Sequence, residues 1–145
     1  TLKFLGDVEP GQVNLIKENV KKAVNNIKPF IIKVKGFGCF PNKRYPRVFW
    51  TGIYDEAGQL QKLYREIEQA HVALGFSAEK RSYSPHLTLA RFRTDKNTKV
   101  IMSKALERAG SMKEIGSFRA VSIELMHSTL TPRGALYRIL DSISL

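Results

Sequence analysis

An α+β fold of two similar lobes is predicted for this chain by three observations. A strand–helix–strand–strand order occurs twice, once in each half of the sequence. The strand segments alternate at period two, which marks half-buried sheet faces. The connections between successive strands are short, so antiparallel pairing should dominate.

The first half opens on TLKFLG, where Leu2 and Phe4 alternate with Thr1 and Lys3 as in a strand. A helix is predicted over residues 7–27. Pro10 fits its first turn, where a missing N–H costs nothing. Val13, Ile16, Val20, Ala23, Val24 and Ile27 form its apolar stripe, and Pro29 ends it. Residues 30–36 alternate as a strand until Gly36 and Gly38 break the pattern. A basic loop from Pro41 to Pro46 leads to the β-rich stretch RVFWTGIY, residues 47–54.

A second long helix spans 57–75, with Leu60, Leu63, Tyr64, Ile67, Ala70 and Leu74 on one face and Gly75 as its stop. The second half then begins with a strand over 86–93, HLTLARFR. A shorter helix over 99–109 carries Val100, Ile101, Ala105 and Leu106. A strand follows over 118–126 through Val121, Ile123 and Leu125. The turn Thr131-Pro132-Arg133-Gly134 leads to a last strand over 135–145.

The chain has 145 residues, of which 43% are hydrophobic, enough for a core, so wholesale disorder is excluded. No run reaches the roughly 18 apolar residues of a membrane helix. The single cysteine, Cys39, excludes an internal disulfide framework and a multi-cysteine zinc site. The formal charge is +11, and it is unevenly spread. No acidic residue occurs from Asn19 to Tyr54, a tract that holds Lys21, Lys33, Lys35 and Arg47 among its cations. A second acid-free stretch from Lys80 to Thr94 carries Arg81, Arg91 and Arg93. Two basic blocks of this kind suit a polyanion such as a nucleic acid.

Of the three histidines, His71 falls on the apolar side of the helix over 57–75 and reads as a core residue, and His127 at a strand end reads as a surface one. His86 differs. In an extended strand His86 and Thr88 share a face, about 7 Å apart, while Leu87 and Leu89 turn the other way, toward the core. An imidazole gives or takes a proton near neutral pH, and a threonine hydroxyl donates to a phosphoryl oxygen as charge builds there. In the aligned repeat, Thr1 takes the place of Thr88, and the position matching His86 falls two residues before it.

Taken together, SPHLTLARFR, the opening TLKFLGDV and the ending ELMHSTLTPRGALYRI resemble the two-histidine (2H) phosphoesterase superfamily, in particular the RNA 2′,3′-cyclic phosphodiesterases, also called 2′-5′ RNA ligases. The resemblance spans essentially the whole chain. It implies two lobes of antiparallel sheet plus helices around a central groove, each giving one H-x-T motif. The second motif maps onto His86 and Thr88; the first maps onto Thr1 alone. The expectation is therefore one two-lobed domain over residues 1–145, N-terminally incomplete. It lacks a first strand, a helix and the first histidine.

The activity implied is hydrolysis of a 2′,3′-cyclic phosphate at an RNA end to a 2′-phosphate, with reverse 2′-5′ ligation. Thr1, Thr88 and Arg91 are expected to hold the phosphoryl oxygens. By simple alternation Arg91 points with Leu87, so a bulge or a strand end must turn it if it is to reach the site. Lys3 is a candidate phosphate contact, and Phe40 and Tyr137 are candidates to stack a base; Trp50 is another, but core packing is the favoured reading for it. No metal and no cofactor are expected, because no cluster has metal-ligand spacing. The expected partner is RNA with a cyclic phosphate end, and the expected state a cytoplasmic monomer off the membrane. The competing readings are a non-catalytic single-stranded RNA-binding module and a relative acting on a small cyclic nucleotide or a 2′-5′ oligonucleotide.

Overall fold

The computed structural model describes residues 1–92, 97–110, 112 and 114–145. Among the described residues three α-helices and six strands follow in the order α1 (Val13–Val24), β1 (Phe30–Phe40), β2 (Val48–Tyr54), α2 (Gln59–Ala73), β3 (His86–Arg91), α3 (Thr98–Ala109), β4 (Gly116–Ala120), β5 (Ser122–Thr131) and β6 (Gly134–Ser144). They form a four-stranded sheet in the order β3-β2-β1-β4 and a two-stranded sheet, β5-β6. No helix among the described residues is long and apolar enough to cross a membrane.

The chain divides into two compact units, neither of them a sequential half. One is made of Thr1–Phe30, Ala57–Tyr83 and Arg119–Leu145; the other of Ile31–Glu56 and Ser84–Phe118. Each β-α-β-β half is thus shared out: α1 belongs to the first unit, while β2 and all of β1 beyond Phe30 belong to the second.

In the first unit α1 packs on α2 and touches β6. Ile16, Val20, Val24 and Ile27 are buried from one side, and Leu60, Leu63, Ile67 and His71 from the other. The stripes follow helical spacing, as the sequence requires. Pro10 opens a 3-10 turn over Pro10–Gln12, and the α-helix proper begins later than predicted, at Val13. Gly75, at φ +91°, stops α2. The N–H groups of Gly75 and Phe76 bond the carbonyls of Val72 and His71, a Schellman closure. His71 is 2% exposed, with Nδ1 2.7 Å from the Ile67 carbonyl, a core histidine. Tyr83 stacks on Tyr64 at 4.1 Å between ring centroids. Burial and the neighbouring Tyr64 push the Tyr83 phenol up to about 12.

Several predicted elements are corrected. Thr1–Gly6 is not a strand. Alternation sorts side chains between faces, but a strand also needs a neighbour to pair its backbone. β1 runs on to Phe40 because Gly36, at φ +68°, forms a bulge where Lys35 and Phe37 change register on β2, and pairing resumes beyond it. The predicted strand over 118–126 splits at Val121, which is 53% exposed; β4 joins the larger sheet and β5 pairs with β6. In α3 the buried stripe is Thr98, Met102 and Ala109, while Val100 and Ile101 face outward. β3 ends at Arg91, and Arg93 lies outside the described residues.

Candidate active site

The register of the larger sheet fixes which side chains share a face with His86. Paired residues on neighbouring strands lie on the same side, and successive residues alternate. Gly52 pairs with both His86 and Lys35, and Trp50 with both Thr88 and Gly38. One face therefore carries His86, Thr88, Trp50, Phe40 and Lys35. The opposite face carries Phe37, Phe49, Thr51 and Leu87. There Phe37 stacks on Phe49, and the Thr51 hydroxyl donates to the Gly36 carbonyl at 2.8 Å, closing the bulge.

His86 and Thr88 are together on one face, as predicted, but the reason given for it fails. Leu87 and Leu89 are 51% and 48% exposed, and His86 and Thr88 are the better covered. β3 is the edge strand of the described sheet, so the leucines have neighbours on one side only. The histidine face is instead covered by aromatic rings. Phe40 meets His86 edge-on at 4.9 Å, and Trp50 lies 6.2 Å from His86 and 5.1 Å from Phe40. Trp50 is thus part of the histidine face, where core packing was the favoured expectation.

The backbone sets the proton of His86. Nδ1 is 2.7 Å from the Ser84 carbonyl. A carbonyl only accepts, so Nδ1 carries the proton, and in the neutral ring Nε2 holds the lone pair. That hydrogen bond is local, two residues along the chain, and ties the ring to the strand that carries it.

The bulge that Arg91 needs is present. Phe49 pairs with Ala90 but Trp50 pairs with Thr88, which leaves Leu89 unmatched. Beyond it Arg91 pairs with Val48, which pairs in turn with Phe40. The extra residue shifts Arg91 from the Leu87 side to the position it shares with Phe40.

Thr1, Lys3 and Tyr137 belong to the other compact unit. Thr1 is exposed, and Tyr137 is exposed on β6 opposite Ser128. Lys3 is already engaged: Nζ donates to Glu68 Oε1 at 2.8 Å and to the Ser77 carbonyl at 2.6 Å, and its side chain is 7% exposed. It is a structural cation, not the free phosphate contact expected. Its strand-like position in the sequence gave no sign of Glu68, 65 residues on. Burial alone would raise the Glu68 carboxyl, but the bonds from Lys3 and the Glu79 amide outweigh it and hold it below the usual range. Lys33 has a carboxylate partner too: it donates to Glu56 at 2.6 Å, a bond that raises its own titration and lowers that of Glu56.

An imidazole with a directed lone pair, a hydroxyl beside it and a guanidinium turned to the same side are what a phosphoester needs. One moves a proton, and the others meet charge on the non-bridging oxygens. If Thr88 is such a donor, Thr88→Val should lower kcat/KM about tenfold, roughly the 1.5 kcal/mol of a hydrogen bond to a charged group. Unchanged steady-state kinetics would remove Thr88 from the site.

The comparisons place the chain among phosphoesterases. The family model of the 2′-5′ RNA ligase superfamily matches residues 1–130. A protein of Methanocaldococcus jannaschii named RNA 2′,3′-cyclic phosphodiesterase is 38% identical over 145 residues, 97% of this chain and 76% of that protein. One of Methanothermobacter thermautotrophicus with the same name is 37% identical over 139 residues, 94% of this chain and 72% of that protein. The crystal structure of TT0787 of Thermus thermophilus superposes with a TM-score of 0.77 at 22% identity, over 100% of this chain and 76% of that one. That of Escherichia coli LigT complexed with 3′-AMP gives 0.73 at 19%, over 100% and 75%. The chain belongs to the 2′-5′ RNA ligase superfamily, within the two-histidine phosphoesterases, and its α+β fold is that of these neighbours.

Proposed function

We propose that this chain hydrolyses the 2′,3′-cyclic phosphate at an RNA end, leaving a 2′-phosphate and a free 3′-hydroxyl. The observation that carries the reading is His86, its Nδ1 held by the Ser84 carbonyl and its ring beside Thr88 on an aromatic-backed strand face. The names of the relatives support the same reaction.

In this mechanism water attacks phosphorus, the P–O3′ bond breaks and the five-membered ring opens. One imidazole takes the water proton and a second, that of the other H-x-T motif, gives a proton to O3′, so acid and base end exchanged. His86 performs one of these transfers through Nε2. Thr88 and Arg91 meet the non-bridging oxygens, and Thr1 is the threonine of the other H-x-T motif. Release of ring strain drives the opening, and proton transfer alone carries it, with no metal required. A 5′-hydroxyl in place of water breaks the same P–O3′ bond and joins the two strands through a 2′-5′ bond; in dilute solution water outcompetes it. The basic tract from Lys21 to Arg47 suits RNA.

The test is incubation of the full-length protein, carrying both H-x-T motifs, in EDTA, with a short RNA ending in a 2′,3′-cyclic phosphate, and assignment of the product phosphate by NMR. A 2′-phosphate is the expected product. RNA that binds but is never opened would overturn the reading in favour of a non-catalytic RNA-binding module.

A further inference from the structure

The histidine face extends beyond His86 to a group that the cyclic-phosphate reaction does not use. Gly52 pairs with His86 on one side and Lys35 on the other, so all three stand on one rung of the sheet. Tyr54 is two residues further along β2, on the same face. Its ring folds back over Gly52. A Cβ at Gly52 would lie 2.6 Å from the Tyr54 ring and 2.9 Å from its hydroxyl, so only glycine leaves room for the ring there. Tyr54 is nonetheless 45% exposed. The Lys35 ammonium sits 5.0 Å from the ring centroid. Among the described residues Lys35 has no carboxylate at ion-pair distance, whereas its neighbour Lys33 is taken by Glu56.

We propose that Lys35 and Tyr54 form a subsite for the nucleotide on the 5′ side of the cyclic end. Lys35 meets the first phosphodiester of the RNA strand, and Tyr54 packs the ribose and base attached to it. Three features carry the assignment. The pair shares the rung and face of the proton-transferring imidazole. A cation without a carboxylate beside a half-exposed aromatic ring is the combination that single-stranded nucleic acid takes, phosphate to the charge and base to the ring. Gly52 lets the Tyr54 ring fold back onto the rung that His86 and Lys35 share, which keeps the pair and the imidazole on one stretch of the face. The inference rests on the proposed cyclic phosphodiesterase reaction and adds its substrate requirement, at least a dinucleotide.

The experiment compares kcat/KM of the full-length protein, carrying both H-x-T motifs, on two substrates, a trinucleotide ending in a 2′,3′-cyclic phosphate and the corresponding mononucleoside 2′,3′-cyclic phosphate. Wild type should prefer the trinucleotide about tenfold, mainly through KM. Tyr54→Ala and Lys35→Met should each bring the ratio of the two toward one, while Tyr54→Phe, which keeps the ring, preserves it. A ratio is insensitive to the fraction of folded protein, so a purely stabilising cation–π pair would leave it unmoved. Turnover of both substrates at equal kcat/KM by wild type, or a ratio retained in both disruptive variants, overturns the subsite and leaves the reaction standing. Turnover of neither substrate overturns the reaction and the subsite with it.

Discussion

His86→Ala is expected to lower kcat for cyclic phosphate opening by a factor of about 10²–10⁴, the usual contribution of a positioned general acid or base. In the proposed mechanism the ring removed carries one of the two proton transfers, and β3 holds no other imidazole. KM should change less, because Thr88 and Arg91 keep their places on the strand, where the proposed mechanism has them meet the phosphate oxygens. The fold should survive. His86 lies on the edge strand of the described sheet, and its bond to Ser84 is a local one that no other element depends on. The cost to stability is the edge-on contact with Phe40, about 0.5–1.5 kcal/mol for an aromatic pair. The check is steady-state kinetics beside a thermal melt of the same preparation. A near-wild-type rate would show that His86 is not a catalytic residue. Lost activity with a melt lowered by tens of degrees would assign the loss to unfolding.

Helices were the most legible part of the sequence, because burial repeats on them at a fixed spacing that needs no partner to be seen. Ile16, Val20 and Val24 on α1 and Leu60, Leu63 and Ile67 on α2 are both the predicted stripe and the observed core. Met102 shows the limit. In α3 apolar residues are too few to mark one face, and Val100 and Ile101 look as good as Met102 until the neighbouring element is known. Strands were legible as strands but not as members of a sheet. Period two says that His86 and Thr88 share a face; it does not say which face is covered. The edge position of β3 reversed the expected burial of Leu87 and Leu89.

Bulges were the other blind spot, since one extra residue changes the face of everything beyond it. Arg91 reaches the histidine face only because Leu89 is unmatched, and Lys35 shares the rung of His86 only because Gly36 is. Gly36 was visible as a glycine in a strand, a recognised mark of a bulge; Leu89 carries no such mark. Trp50, Gly52 and Tyr54 did leave a signal, aromatic–glycine–aromatic at period two on β2. It is weaker than H-x-T because an aromatic pair names no reaction, and only the register of β2 on β3 ties it to the imidazole.

Gly38→Ala is expected to cost both stability and turnover, although residue 38 has no functional group. Gly38 pairs with Trp50, and a Cβ there would overlap the six-membered part of the indole. The backbone on the other side is held by the β1–β2 ladder, so the ring must yield. Trp50 is not free to do so alone. It rests against Phe40 at 5.1 Å and near His86 at 6.2 Å, and Phe40 in turn meets His86. Overpacking of this kind costs about 1–3 kcal/mol. The strain passes to His86 through two rings, and a displacement of about 1 Å at a reacting group costs on the order of 100-fold in rate. The loss should fall on kcat, since Thr88 and Arg91 sit on β3 and do not move with the indole. Trp50→Phe in the Gly38→Ala background shortens the ring that collides, so it should restore part of the rate. A wild-type kcat in Gly38→Ala, with Trp50 fluorescence unaltered, would mean that the indole does not bear on Gly38 and that the aromatic rings do not position the imidazole. Recovery in the double variant would instead assign the defect to the collision itself, and make the close approach of Trp50 to bare backbone the reason for glycine at that point in β1.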